Sequence, residues 1–138
     1  MKVRNPIRML LIALAVVLLF PTVTSAALPP TVEPQWNTTM SVGCNIILSG
    51  NVGAATASII GYTGSVVEAY AVLFMIKDGE RTDLFWDSTP SDWTMAYASF
   101  GWDFTPVSGA TYYLVLSGLV TGNGTHDDIY QRDVETVP

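Results

Sequence analysis

One cysteine, one histidine and six basic residues are all that this 138-residue chain offers to the chemistries that depend on them. With Cys44 alone there is no intramolecular disulfide, so stability must come from an apolar core, which a chain of this length can supply. Cys44 alternates in phase with Met40, Val42, Ile46 and Leu48, the pattern of a small buried hydrophobe rather than a reactive thiol. A His-dependent triad would have to use His126, which follows the Gly122–Thr125 turn signal and reads as a solvated turn residue. One His and one Cys far apart in sequence do not make a zinc site. The cluster His126-Asp127-Asp128 near Asn123, with the loop acids Asp87 and Asp92, offers oxygen ligands for Ca²⁺, but EF-hand spacing is missing and exposed loop charge is the reading taken. No pair of carboxylates is singled out for acid–base work. The chain is therefore read as non-enzymatic, with no catalytic residue, cofactor or metal assigned.

The scarce cations are also unevenly placed. Lys2, Arg4 and Arg8 precede an uninterrupted apolar run from Met9 to Phe20. Its twelve residues fall short of the roughly 17 to 25 needed to span a bilayer, and Pro21 and Thr24-Ser25-Ala26-Ala27 follow. Residues 1–27 thus read as a secretory signal peptide cut near Ala26 or Ala27, which predicts an extracellular protein. Removing it leaves Lys77, Arg81 and Arg132 against twelve acids, a charge of −9. Nucleic-acid binding by counterion release has almost nothing to work with, and anionic membrane surfaces are disfavoured. With neither a lipid-attachment cysteine near the cleavage region nor a C-terminal apolar tail, no stable membrane anchoring is expected. The net charge reads as what keeps a small exported domain soluble and self-repelling, with a preference for cations and basic partners as the alternative.

Helical periodicity is missing as well. Pro29, Pro30 and Pro34 make residues 28–37 an extended, Pro-rich lead-in. Residues 38–138 show short period-two runs punctuated by Gly, Asn, Asp and Pro, an all-β pattern. Strands are predicted at about Met40–Leu48, Ala54–Tyr62, Val66–Ile76, Thr82–Trp86, Trp93–Thr105 as one bent strand or two short ones with the bend at Gly101, Tyr112–Val120 and Asp128–Val134. Lys77-Asp78-Gly79-Glu80 carries an Asp-Gly hairpin signal, because a type I′ turn needs positive φ at both central residues. About seven strands in roughly 100 residues predict a single Greek-key β-sandwich, immunoglobulin-like in layout.

The segment Phe104–Leu116 resembles the tyrosine-corner approach to the penultimate strand of immunoglobulin-like and fibronectin type III domains, with either Tyr112 or Tyr113 in the corner position. Pro34-Gln35-Trp36-Asn37-Thr38, the Gly-rich hairpin Ser49–Ala57, Gly61-Tyr62-Thr63-Gly64 and Gly109-Ala110-Thr111-Tyr112-Tyr113 follow in order. Together with the leader they resemble a group of small secreted β-sandwich proteins of Gram-positive bacteria. That resemblance implies a fold and a compartment and nothing catalytic.

The strand faces carry the one functional signal. In the third strand Val67, Ala69, Ala71, Leu73 and Met75 alternate with Glu68, Tyr70, Val72, Phe74 and Ile76, and in the penultimate strand Tyr112, Leu114 and Leu116 alternate with Tyr113 and Val115. Both faces are apolar. Neighbouring strands of this kind can bury only one face between the sheets, and placing Val67, Leu73, Tyr112 and Leu114 inward keeps Glu68 in solvent. Tyr70, Val72, Phe74, Ile76, Tyr113 and Val115 are then an outer face for a protein partner or self-association. The alternative is a carbohydrate platform on Trp86 and Trp93. Trp102, in phase with Phe100 and Phe104, reads as core.

Overall fold

The computed structural model describes residues 36–138; residues 1–27, read above as a signal peptide, and most of the Pro-rich lead-in lie outside them. The described residues form seven strands: β1 Thr39–Ser49, β2 Val52–Gly61, β3 Val66–Lys77, β4 Glu80–Ser88, β5 Tyr97–Phe104, β6 Thr111–Gly122 and β7 Thr125–Thr136. They make two antiparallel sheets, β1-β2-β5 and β4-β3-β6-β7, packed as a sandwich. Hairpins join β1 to β2, β3 to β4 and β6 to β7. The chain crosses between sheets after β2, β4 and β5, and this makes β3 and β6 neighbours.

Turn chemistry fixes the hairpins. Asp78 and Gly79 both have positive φ (54° and 81°), as a type I′ turn demands. Asn123 and Gly124 repeat the arrangement (51° and 76°). The Asn-Gly pair therefore extends β6 and β7 beyond their predicted ends, up to the Gly122–Thr125 pairing.

Period-two burial fills the space between the sheets. Ala55, Ala57 and Ile59 of β2 meet Val67, Ala69, Ala71 and Leu73 of β3 and Tyr112, Leu114, Leu116 and Val120 of β6. Small residues on β2 opposite large ones on β6 let the layers interdigitate at interior density. Tyr112 occupies the corner: its phenol oxygen accepts a 2.9 Å bond from the Val107 N–H, and its ring lies 4.7 Å from that of Phe104. Phe100 is buried, while Trp102 and Phe104 pack half-buried against the core rim.

Three local expectations are corrected. Met40 is exposed, because the register shifts between Thr39 and Ser41 and breaks its phase with Val42. Gly101 makes no bend: β5 pairs with β2 from Tyr97 to Phe104 without a shift. Trp93 precedes β5, in the 89–96 connection, where its Nε1–H donates to the Tyr97 carbonyl at 2.8 Å.

Two carboxylates of β7 close the side where β1 and β7 meet. Asp127 accepts from the N–H groups of Asn37 (3.1 Å), Thr38 (2.7 Å) and Thr39 (2.9 Å), and the Thr38 hydroxyl lies 2.7 Å from the same carboxylate. Asp133 accepts from the Ile46 N–H at 2.7 Å. Burial alone would push the Asp127 carboxyl up, but the bonds from Thr38, Asn37 and Thr39 hold it well below the usual carboxylate range. Asp127 is thus a buried structural acceptor and not an exposed loop charge. His126 stays in solvent, 3.9 Å from Asp128. Cys44 is half-buried with its thiol directed at the Leu114 carbonyl, 3.5 Å away, and burial followed by the Asp133 charge pushes that thiol up to about 11.

Candidate functional site

The outer face of the four-stranded sheet is laid out by register, one residue from each of β4, β3, β6 and β7 in turn. One row reads Ser88, Tyr70, Ser117, Tyr130; the next Trp86, Val72, Val115, Arg132; the next Asp83, Phe74, Tyr113, Val134; and the next Arg81, Ile76, Thr111, Thr136. The sheet therefore brings Tyr70, Val72, Phe74, Ile76, Tyr113 and Val115 together on one face. Their exposure is uneven. Tyr70 is exposed, Val72 is buried between Trp86 and Val115, and Phe74, Ile76, Tyr113 and Val115 are half-buried. Aromatic pairing explains the middle of the face: Phe74 stacks on Tyr113 at 5.0 Å and 5°, and the Arg81 guanidinium lies 3.9 Å above the Phe74 ring. Arg81 also pairs with Asp83 at 2.7 Å on the open surface, a contact of little energetic consequence there.

What the face presents to solvent is a rim of larger groups. Trp86 is 68% exposed and Tyr130 67%, with Tyr70 and Val134 beside them. Tyr130 was missed from sequence because the face was read from β3 and β6 alone. Its alternation with Ile129 carried the signal.

Trp86 and Trp93 are not brought together. Trp86 leans on Tyr70 (6.4 Å, 34°), whereas Trp93 packs edge-on against Tyr97 of the three-stranded sheet (5.8 Å, 80°). Beside Tyr70 a cleft of about 510 Å³ opens between the sheet and the connection that follows β4, lined by Glu68, Tyr70, Pro90, Ser91, Ser117 and Leu119 among others. Thr89 pins that connection through two bonds to Ala69, N–H to carbonyl at 2.9 Å and Oγ1 from the N–H at 3.0 Å. Glu68 is the one carboxylate in the lining, so the cleft does not hold the carboxylate pair that glycoside hydrolysis uses. It can offer aromatic faces, hydroxyls and a single negative charge.

No protein-family model and no curated protein matches this chain. Among solved structures it is similar to the sporulation control protein Spo0M from Bacillus subtilis, with 14% identity and a TM-score of 0.34 over 72% of this chain and 48% of that one. The chain thus spans about half the length of that protein. Among the described residues, no group of three or more His, Cys, Asp or Glu side chains is gathered as for a metal ion.

Proposed function

We propose that this chain is an exported, non-enzymatic binding domain that contacts a protein partner, or a second copy of itself, through the outer face of β4-β3-β6-β7. The observation that carries the reading is the rim of Trp86, Tyr70, Tyr130 and Val134 left in solvent on one face. Large aromatics exposed on one sheet face supply contact area at small entropic cost and mark interaction sites. The basic, apolar leader and the resemblance to small secreted Gram-positive proteins support export. The order β1-β2-β5 over β4-β3-β6-β7 and the Tyr112 corner support an immunoglobulin-like, fibronectin type III-like layout.

A second reading, carbohydrate binding, is favoured by the pairing of Trp86 with Tyr70 beside the cleft that holds Glu68, Ser91 and Ser117. Trp93 takes no part in it. Sedimentation velocity over a concentration series, with and without added salt to screen the acidic surface, tests the first reading against Trp86→Ser/Tyr130→Ser. The double variant should keep the wild-type circular dichroism and lose association. A wild type that is monomeric throughout, and that binds glycans in a manner abolished by Trp86→Ser, transfers the face to sugar.

A further inference from the structure

The two sheets differ in width, and the narrower one ends in an unguarded edge. Alternate residues of a strand point their N–H and C=O groups to opposite sides. The Ala96 carbonyl accepts from the Gly61 N–H at the end of β2 (2.7 Å), while the next carbonyl, Tyr97, points the other way and is taken by Trp93. Ala98, Phe100, Trp102 and Phe104 therefore bond to β2, and Ser99, Gly101 and Asp103 turn their backbone groups outward. Among the described residues nothing bonds to those outward groups. The other edges carry guards. Asp127 and Asp133 take the Thr39 and Ile46 N–H groups of β1, β7 carries Asp128, Arg132, Asp133 and Glu135, and β4 is bulged at Leu84, where its register with β3 shifts, with Glu80, Arg81, Asp83 and Asp87 along its length, the usual devices against edge pairing. On β5 the one charge is Asp103.

Gly101 stands in the middle of this edge without a local reason. Its φ is not positive, its strand has no shift, and a Cβ there would meet nothing nearer than 3.9 Å. A glycine of this kind inside a strand suits the close approach of another backbone. Beyond β5 the inner side of β4 lacks a strand opposite it. Phe85 reaches across to stack on Trp102 (6.0 Å, 7°) yet remains 37% exposed, and Asp87 shares its inward phase. A strand laid on β5 at the usual spacing of about 4.8 Å would lie opposite β4, cover Phe85 and Trp102, and complete a sandwich of four strands on four.

We infer that β5 is a docking edge for an extended, basic peptide segment of a partner protein, added as a fourth strand to β1-β2-β5. Charge decides the occupant. The described residues hold eleven acids and three cations, which sets a second copy of the chain at a disadvantage, while Asp87, Asp92 and Asp103 lie on β4, β5 and the connection between them. A Lys or Arg on the inner face of the incoming strand lays its aliphatic stem on Phe85 and Trp102 and its charge toward Asp87. Main-chain bonds to Ser99, Gly101 and Asp103 supply the rest.

Titration with the peptide acetyl-(Lys-Val)4-amide, followed by Trp fluorescence and amide hydrogen exchange, tests this on the secreted chain. The expected result is saturable binding that slows exchange at Ser99, Gly101 and Asp103, with a Glu-Val peptide of the same length inert. Gly101→Pro removes one outward N–H and no bond to β2, so it should weaken binding at least tenfold at unchanged melting temperature; Gly101→Ala, which keeps that N–H and adds only a Cβ where the incoming backbone approaches, should weaken binding by less than the proline does. Asp87→Asn, which leaves the edge intact, should weaken binding severalfold and keeps the test usable should the proline variant unfold. Trp86→Ser/Tyr130→Ser should bind the peptide normally, which separates this edge from the outer face. Equal binding by a Lys-Pro peptide, which cannot join a ladder, or exchange protection at Ser99 and Gly101 caused by dimerisation of the protein alone, would overturn the proposal.

Discussion

Replacing Asp127 with Asn tests the β1–β7 closure at its most demanding point. The carboxylate takes three backbone N–H groups, and two of them belong to Thr38 and Thr39, which are 2% and 3% exposed. The Thr38 hydroxyl has a second acceptor in the Val120 carbonyl at 2.8 Å and keeps it, and the Asn37 N–H can rehydrate. The Asn amide can keep its one oxygen where Thr38 and Thr39 donate, but its NH2 then faces the Asn37 N–H and both remaining bonds lose their charge assistance, about 1 kcal/mol each, so a loss of about 2 kcal/mol is expected. Urea unfolding followed by Trp fluorescence measures it. The pH dependence follows from the depressed native pKa: the contribution is complete above the unfolded-state value of about 3.9 and disappears as pH falls toward the lower native value. The gap between wild type and Asp127→Asn should therefore be constant from pH 7 to 5 and shrink from pH 4 downward. A loss below about 1 kcal/mol, or a gap that is the same at pH 5 and pH 2.5, refutes the assignment of Asp127 as the ionised acceptor.

Tyr112→Phe removes the partner of the Val107 N–H and leaves the ring against Phe104, so the urea midpoint should fall by the equivalent of about 1 kcal/mol with no change in circular dichroism. Cys44, with its thiol raised to about 11, should react with iodoacetamide at pH 8 about two orders of magnitude more slowly than an unperturbed thiol, and at the ordinary rate once urea unfolds the chain; mass spectrometry of the quenched reaction reads both.

Much of the architecture is legible where the signal is local. Asp78-Gly79 specifies its hairpin, and the alternation in β3 and β6 puts Val67, Leu73, Tyr112 and Leu114 inside, as the exposed Glu68 requires. The choice between Tyr112 and Tyr113 became fixed only by the partner of the phenol, a tertiary fact. Asp127 was misread because β7 was started at Asp128; begun at Thr125, the same alternation that buries Ile129 places Asp127 inward too. Its ligands lie nearly ninety residues away, and no local pattern announces a contact of that span. The outer face was readable as a set of residues. Which of them reach solvent was not, because cross-strand neighbours decide it, Trp86 and Val115 for Val72 and the Tyr113 ring for Phe74.

The carboxylates that fasten β1 also impose an order of events on a chain delivered from its N-terminus. Thr38, Thr39 and Ile46 wait for Asp127 and Asp133, which sit near the far end of the sequence. Until those residues emerge, the first hairpin can lie on β6 but lacks its clasp, and contacts of this sequence span are the kind that slow folding. The first strand of the domain is thus fastened by the last one, and its N-terminal end is completed only when β7 is in place.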